Sequence, residues 1–172
     1  NQRIFLRKTV VPNDLSEFFL GNSVNVCGRL LKITGYADKF TESELGNQLE
    51  RTLVMIKPDA VSKLGDIIEA VGDTDGLNLA AARMARLSLA DAKEFYAEHS
   101  QREFYIPLCE FMSSGPVVAL EVVGQGAIGK ARELIGPTDS AKARDEARGS
   151  LRARFGTDGR RNAVHGSDSP GS

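Results

Sequence analysis

Apolar positions along the chain follow two different rhythms. Residues 1–46 hold short apolar runs, Ile4-Phe5-Leu6, Val24-Asn25-Val26 and Leu30-Leu31-Lys32-Ile33, broken by Pro12-Asn13-Asp14, Gly21-Asn22, Gly28 and Gly35. Such punctuation predicts short strands joined by turns. A polar linker at 47–51 follows, and a second unit, 52–172, begins with the β-branched and apolar run Thr52-Leu53-Val54-Met55-Ile56. That run is short enough for a buried strand, and Lys57-Pro58-Asp59 ends it because proline has no N–H for the ladder.

Beyond it Leu64, Ile67, Ile68 and Val71 recur at i, i+3, i+4 and i+7, one face of a helix closing at Gly72 or Gly76. Leu77, Leu79 and Ala81 alternate as in a strand. Ser88-Leu89-Ala90-Asp91 has capping-box spacing and opens a helix through about Glu98. Phe104, Tyr105, Leu108, Phe111 and Met112 form another helical stripe. After Gly115-Pro116 comes the strand-like run Val117–Val123, then Ala127, Ile128, Ala131, Leu134 and Ile135 at helical spacing. Strand, helix, strand, helices, strand, helix and a last strand make an α+β unit. The expected architecture is a ferredoxin-like α/β sandwich with a four-stranded antiparallel sheet.

Composition narrows the function classes only a little. Of 172 residues, 41% are hydrophobic and 26% charged, ordinary for a globular chain, and the formal charge of −1 offers no global attraction to nucleic acid or anionic lipid. Phosphate binding must therefore be local, with nucleic acid not expected as a partner. Cys27 and Cys109 have no metal-like spacing, which favours two reduced thiols and a cytoplasmic setting. No apolar run approaches the length of a spanning helix and no leader peptide is recognisable, so no membrane partner is expected.

Two stretches invite a nucleotide reading on different grounds. Gly124-Gln125-Gly126-Ala127-Ile128-Gly129 fits G-x-G-x-x-G between a strand and a helix. A dinucleotide fold would then need a second parallel strand ending in an acid, whereas Arg144-Asp145-Glu146-Ala147-Arg148 shows no strand pattern, so a flexible strand-to-helix turn is the better reading. The basic tract Lys142, Arg144, Arg148, Arg152, Arg154, Arg160 and Arg161 is interleaved with acids and reads mostly as a solvated face. One or two of its arginines are candidates to grip phosphate oxygens bidentately.

The reactive candidate is His165, in Arg161-Asn162-Ala163-Val164-His165-Gly166-Ser167-Asp168-Ser169. An imidazole with an ordinary pKa of roughly 6.5 has a lone pair available near neutrality. Gly166 leaves room for a phosphate, and the Ser167 hydroxyl lies within reach of the nucleophile or a nearby acceptor. Alone, the histidine would read as a surface residue in a polar turn. Together with Thr52–Val61, Tyr96-Ala97-Glu98-His99 and Ser114–Ala119, the stretch resembles the nucleoside diphosphate kinase family, over roughly residues 52–169.

That resemblance implies phosphoryl transfer from ATP to nucleoside diphosphates through a phosphohistidine at His165, with a nucleotide-bound Mg²⁺ and no protein metal site. It implies Lys57 beside the phosphates, Phe104 stacked on the base with Leu108 behind it, and Arg132 and Thr138 on the inner phosphates. It further implies Arg152 on the transferred phosphate, Asn162 on the ribose 3′-hydroxyl, Tyr96 as an active-site tyrosine and His99 as a position able to touch phosphate. Read from residue types alone, Phe104 also fits a core stripe, Thr138 a helix cap and Lys57 an exposed strand end.

Glu103 stands where most members have proline, and the loop from Thr138 to Arg152 is about three residues longer than usual. A glutamate that orients the histidine in the usual kinase has no match before Ser172. Phe155-Gly156-Thr157-Asp158-Gly159 is a phrase of the divergent, mostly ciliary branch. The phrase Gly21–Arg29 with Asp38-Lys39-Phe40-Thr41 is similar to the end of a pleckstrin-homology-like module found in certain ciliary proteins. By resemblance, then, the expected setting is the cytoskeleton of a cilium or flagellum, with tubulin or other axonemal proteins as partners. The alternative function is a structural microtubule-associated role with a weak or vestigial site.

Overall fold

The computed structural model describes residues 10, 13, 17–43 and 49–168, and the chain divides into two compact units, Asn1–Gln48 and Leu49–Ser172. In the first unit β1 (Ser23–Val26) and β2 (Arg29–Lys32) form an antiparallel hairpin with Val26 opposite Arg29. Its two turn residues, Cys27 and Gly28, have φ of 51° and 76°. Positive φ at both positions matches the right-handed twist of the strands, and glycine supplies it without strain. Val24 and Val26 alternate inward with Phe19. A single helical turn, α1 (Lys39–Thr41), is capped by Asp38, whose carboxylate accepts from the Thr41 N–H at 2.7 Å. The Ile4-Phe5-Leu6 run lies outside the described residues.

The second unit is built on one sheet of order β4-β5-β3-β6, every neighbouring pair antiparallel. The central strand β3 (Glu50–Ile56) starts two residues earlier than its apolar run suggested. Its ladder partner β5 (Pro116–Gly124) extends to Gly124 opposite Glu50, which carries the pairing through two polar residues. The edge strand β4 (Asn78–Arg86) is also longer than its alternating core, Leu77–Ala81, and has a bulge between Leu79 and Ala81.

Helix α2 (Leu64–Gly72) lays Ile67 and Val71 against the sheet, and α5 (Ala127–Ile135) lays Ala127, Ala131 and Ile135 beside them. Both pack on the face shown by Val54, Ile56, Leu120 and Val122. Burying Ile67 or Val71 completely is worth roughly 1.5–3 kcal/mol each, so this layer outweighs the weak propensity of two nine-residue helices.

The opposite face, marked by Met55 and Val117, is partly covered by α3 (Leu89–Phe95) and α4 (Tyr105–Ser113). Ser88 and Asp91 form the expected capping box on α3. That helix stops at Phe95 rather than near Glu98, and a 3₁₀ turn, Ala97–His99, follows.

Residues 138–155 are not one charged loop. They fold into α6 (Ser140–Glu146), capped by Asp139, and α7 (Leu151–Phe155), capped by Ser150, whose Leu151 joins the main core. The cap of α6 is therefore Asp139, not Thr138. The last strand, β6 (Val164–Gly166), carries His165.

The G-x-G-x-x-G stretch is accounted for by packing. Gly126 takes φ of 63° ahead of α5, and a Cβ on Gly124 would overlap the carbonyl oxygen of Gly76. The strand that follows α5 is antiparallel to its neighbour, so no dinucleotide crossover exists in this sheet.

Candidate active site

His165 is placed by strand register. It lies directly opposite Met55 in the β3–β6 ladder, and opposed residues share a face, so the imidazole projects toward α3 and α4. There the Phe95 and Tyr96 rings meet it edge-on, at centroid distances of 5.4 and 5.5 Å and interplanar angles of 72° and 90°. Among the described residues neither ring nitrogen has a hydrogen-bond partner.

Gly166 serves a purpose beyond the one its size suggested. A Cβ there would collide with Ile135 on the opposite face of the strand, so its missing side chain makes room for the core, while the residue also lines the cavity that opens beside His165.

The strand is entered through a strained turn. Ala163, fully buried, has φ of 67°, and the Val164 N–H donates to the Asn162 carbonyl at 2.8 Å, closing a three-residue γ-turn. A non-glycine residue in that region costs ~1–3 kcal/mol and persists only when its surroundings hold it. They do so here: the Lys57 N–H donates to the Ala163 carbonyl at 2.9 Å, and Asp59 Oδ2 accepts from the Ala163 N–H at 3.1 Å.

A cavity of about 600 Å³ opens beside His165. Every residue expected of the site lines it: Lys57, Tyr96, His99, Phe104, Leu108, Arg132, Thr138, Arg152, Asn162, His165 and Ser167. Phe104 is not a core residue. It precedes α4 and is 48% exposed on the cavity wall, with Leu108 buried behind it. Lys57 is no exposed strand end either, being only 5% exposed. Its Nζ donates to Asn162 Oδ1 at 2.7 Å and to the Arg160 carbonyl at 3.3 Å.

The Asn162 amide is committed to protein. Its Nδ2 donates to the Thr138 and Gly159 carbonyls at 2.8 and 3.1 Å, so only a further lone pair on Oδ1 is left for a ribose hydroxyl.

Arg152 is similarly engaged on one side. Its Nε and Nη2 donate to the Val164 carbonyl at 3.3 and 3.1 Å, and Nη1 to the Gly136 carbonyl at 2.9 Å. Glu98, Gly159, Arg160, Gly166 and Asp168 complete the lining, and Phe95 touches the imidazole without lining the cavity. Arg160 and Asp168 sit within stretches already conspicuous in the sequence, whereas nothing in the periodicity singles out Phe95.

The electrostatics suit an anion. Burial, reinforced by Lys57, Arg152 and His99, lowers the His165 pKa to about 4, so the ring is neutral at pH 7. Burial and the nearby Arg152 bring Lys57 down to about 8, and burial with Arg132 brings Arg152 to about 10. Both remain largely protonated at neutrality. Tyr96 is pushed well above the usual phenol range by burial, which keeps its hydroxyl protonated, and that oxygen is buried without a hydrogen-bond partner. A neutral imidazole among clustered cations is an arrangement suited to holding a polyanion.

A family model for nucleoside diphosphate kinase matches residues 50–172. The chain belongs to the nucleoside diphosphate kinase family. Similar members include the nucleoside diphosphate kinase homolog 7 proteins of Rattus norvegicus and Mus musculus, 46% and 44% identical over 169 residues. Those alignments cover 98% of this chain and 42% of each relative, so the chain spans less than half their length. The nucleoside diphosphate kinase of Aquifex aeolicus is 50% identical over 124 residues, 71% of this chain and 87% of that one.

Its crystal structure superposes with a TM-score of 0.69 at 50% identity, covering 72% of this chain and 88% of the other. The kinase of Halobacterium salinarum, solved in complex with CDP, gives 0.64 at 38% identity, covering 69% and 77%. Kinship at this level accounts for the ferredoxin-like nucleoside diphosphate kinase fold of the second unit.

Proposed function

We propose that the second unit transfers the γ-phosphoryl group of ATP to nucleoside diphosphates through a phosphohistidine at His165. The observation that carries this reading is the neutral imidazole at a cavity shared with Lys57, Arg132 and Arg152. The ring nitrogen's lone pair attacks γ-phosphorus. A nitrogen–phosphorus bond forms as the bond from phosphorus to the β–γ bridging oxygen breaks, and ADP leaves with that electron pair.

A terminal oxygen of a second nucleoside diphosphate then attacks the phosphohistidine and restores the imidazole. Lys57, Arg132 and Arg152 hold negative charge in place through both halves, and exposed Phe104 offers a stacking shelf for a base. Mg²⁺, bound on the nucleotide, would neutralise phosphate charge. The described residues present no cluster of three carboxylate, thiol or imidazole groups for a metal, while Lys57, Arg132 and Arg152 suit the phosphate oxygens of a metal–nucleotide complex.

Incubation with γ-labelled ATP tests the reading. Acid-labile, base-stable label that vanishes in His165→Ala supports it, and an unlabelled wild type removes it.

A second reading is a structural role on axonemal microtubules in the cytoskeleton of a cilium or flagellum. Its support is that similarity to the homolog 7 proteins runs through the leader as well as the kinase unit, 169 residues against 124 for the Aquifex aeolicus kinase. Co-sedimentation with purified doublet microtubules, unaffected by His165→Ala, would favour it. Loss of binding to doublets under all salt conditions would exclude it.

A further inference from the structure

We propose that Asp59 is a positioning residue for His165, holding Ala163 in its strained turn and thereby setting where the imidazole stands. This rests on the phosphotransfer reading above and adds a residue to which that reading gives no part. Asp59 does not line the cavity. Its Oδ2 accepts from the Ala163 N–H at 3.1 Å, and its Oδ1 is buried with no partner. Burial raises its pKa, opposed by the bond from Ala163. A carboxylate half-satisfied beneath a site is unfavourable on its own and is explained by the group it restrains.

That group is a backbone turn with a reason to relax. Ala163 has φ of 67°, and relief of its strain would rotate the peptide leading into Val164 and His165. Residues 57–59 grip both polar groups of Ala163, the carbonyl through the Lys57 N–H and the N–H through Asp59. The Lys57 bond belongs to the backbone and survives any side-chain change there. The Asp59 bond is the one a substitution can remove.

Strand β6 is only three residues long, Val164–Gly166, so a shift at its entry passes directly to His165. Displacement of a nucleophile by about 1 Å costs up to ~10²-fold in rate.

The test is single-turnover labelling of His165 by γ-labelled ATP with four variants. Asp59→Ala is expected to slow labelling about 10- to 100-fold while ADP affinity moves less than about threefold. Asp59→Asn keeps an acceptor oxygen and loses only the charge, and it is expected within about threefold of wild type. In an Ala163→Gly background, where positive φ is unstrained, Asp59→Ala is expected to cost at least about fivefold less. Should Asp59→Ala fail to fold, Asp59→Ser, whose hydroxyl is too short to reach Ala163, takes its place.

Wild-type-like labelling of Asp59→Ala, or no relief from Ala163→Gly, overturns the proposal. So does an Asp59→Asn as slow as Asp59→Ala, because the effect would then lie in the charge beside Lys57. Carbethoxylation of His165 by diethyl pyrocarbonate, followed by mass spectrometry, reads imidazole placement without nucleotide. If wild type takes no phosphate label, the kinase reading fails, while the carbethoxylation rates across the same variants still decide the positioning role.

Discussion

Lys57 Nζ and Asn162 Oδ1 lie 2.7 Å apart, joining the end of β3 to the entry of β6 across 105 positions of sequence. Both side chains are almost wholly buried, at 5% and 1% exposure. Asn162 also holds the Thr138 and Gly159 carbonyls, so one amide ties together three segments of the cavity wall. Replacing it by alanine strips the buried Lys57 ammonium of its nearer acceptor and frees two backbone carbonyls rather than merely deleting a contact. Asn162→Ala is therefore expected to destabilise the unit by ~2 kcal/mol or more, read as a lowered urea midpoint at unchanged slope.

On the proposed phosphotransfer, the same cluster sets a pH window. The kcat/KM profile reports ionisations of the free enzyme. With His165 near 4 and Lys57 near 8, the plateau is expected to span that interval, with no loss of rate near the ordinary histidine pKa of 6.5. Stability follows the His165 shift with a definite sign. Its folded pKa lies below the unfolded value, so between about 6.5 and 4 the unfolded chain binds more protons and stability falls as pH falls. Thermal melts of His165→Ala are expected to lose part of this acid sensitivity.

How far the site could be read in advance depended on what each residue does with its neighbours. Strands β3 and β5 and helices α2 and α5 advertise themselves because each buries a continuous or periodic apolar face. Strand β6 does not: three residues, Val164, His165 and Gly166, are too few to show a period, and its pairing with β3 is a long-range property. Helices α6 and α7 were hidden by charge. Arg144 and Lys142 face outward or hold backbone, and only the caps Asp139 and Ser150 mark their starts. Motif resemblance named Asn162 and Arg152 as ligand contacts. That both also brace the protein appears only when the chain is folded.

Phe104 separates binding from stability. Being 48% exposed at the cavity wall, it contributes little to the core. Stacking of a base on an aromatic ring is worth ~1–3 kcal/mol. Phe104→Ala is expected to weaken ADP binding about tenfold by calorimetry, with the melting temperature nearly unchanged.

Arg132 and Arg152 offer the complementary contrast. Both are cations of the same cavity, yet the described structure gives Arg132 no hydrogen bond, while Arg152 spans the Val164 carbonyl on the strand of His165 and the Gly136 carbonyl beside Thr138. Lysine in place of arginine keeps the charge and loses the planar fork. Arg132→Lys should therefore change KM by only a few-fold and leave the melting temperature alone. Arg152→Lys cannot bridge both carbonyls at once, so one buried acceptor goes unpaired and the entry to β6 loses a brace. Its expected signature is a fall in kcat of at least tenfold together with ~1–3 kcal/mol of lost stability. Equal effects from the two substitutions would mean that Arg152 acts on phosphate alone and that its bonds to Val164 and Gly136 do nothing for the placement of His165.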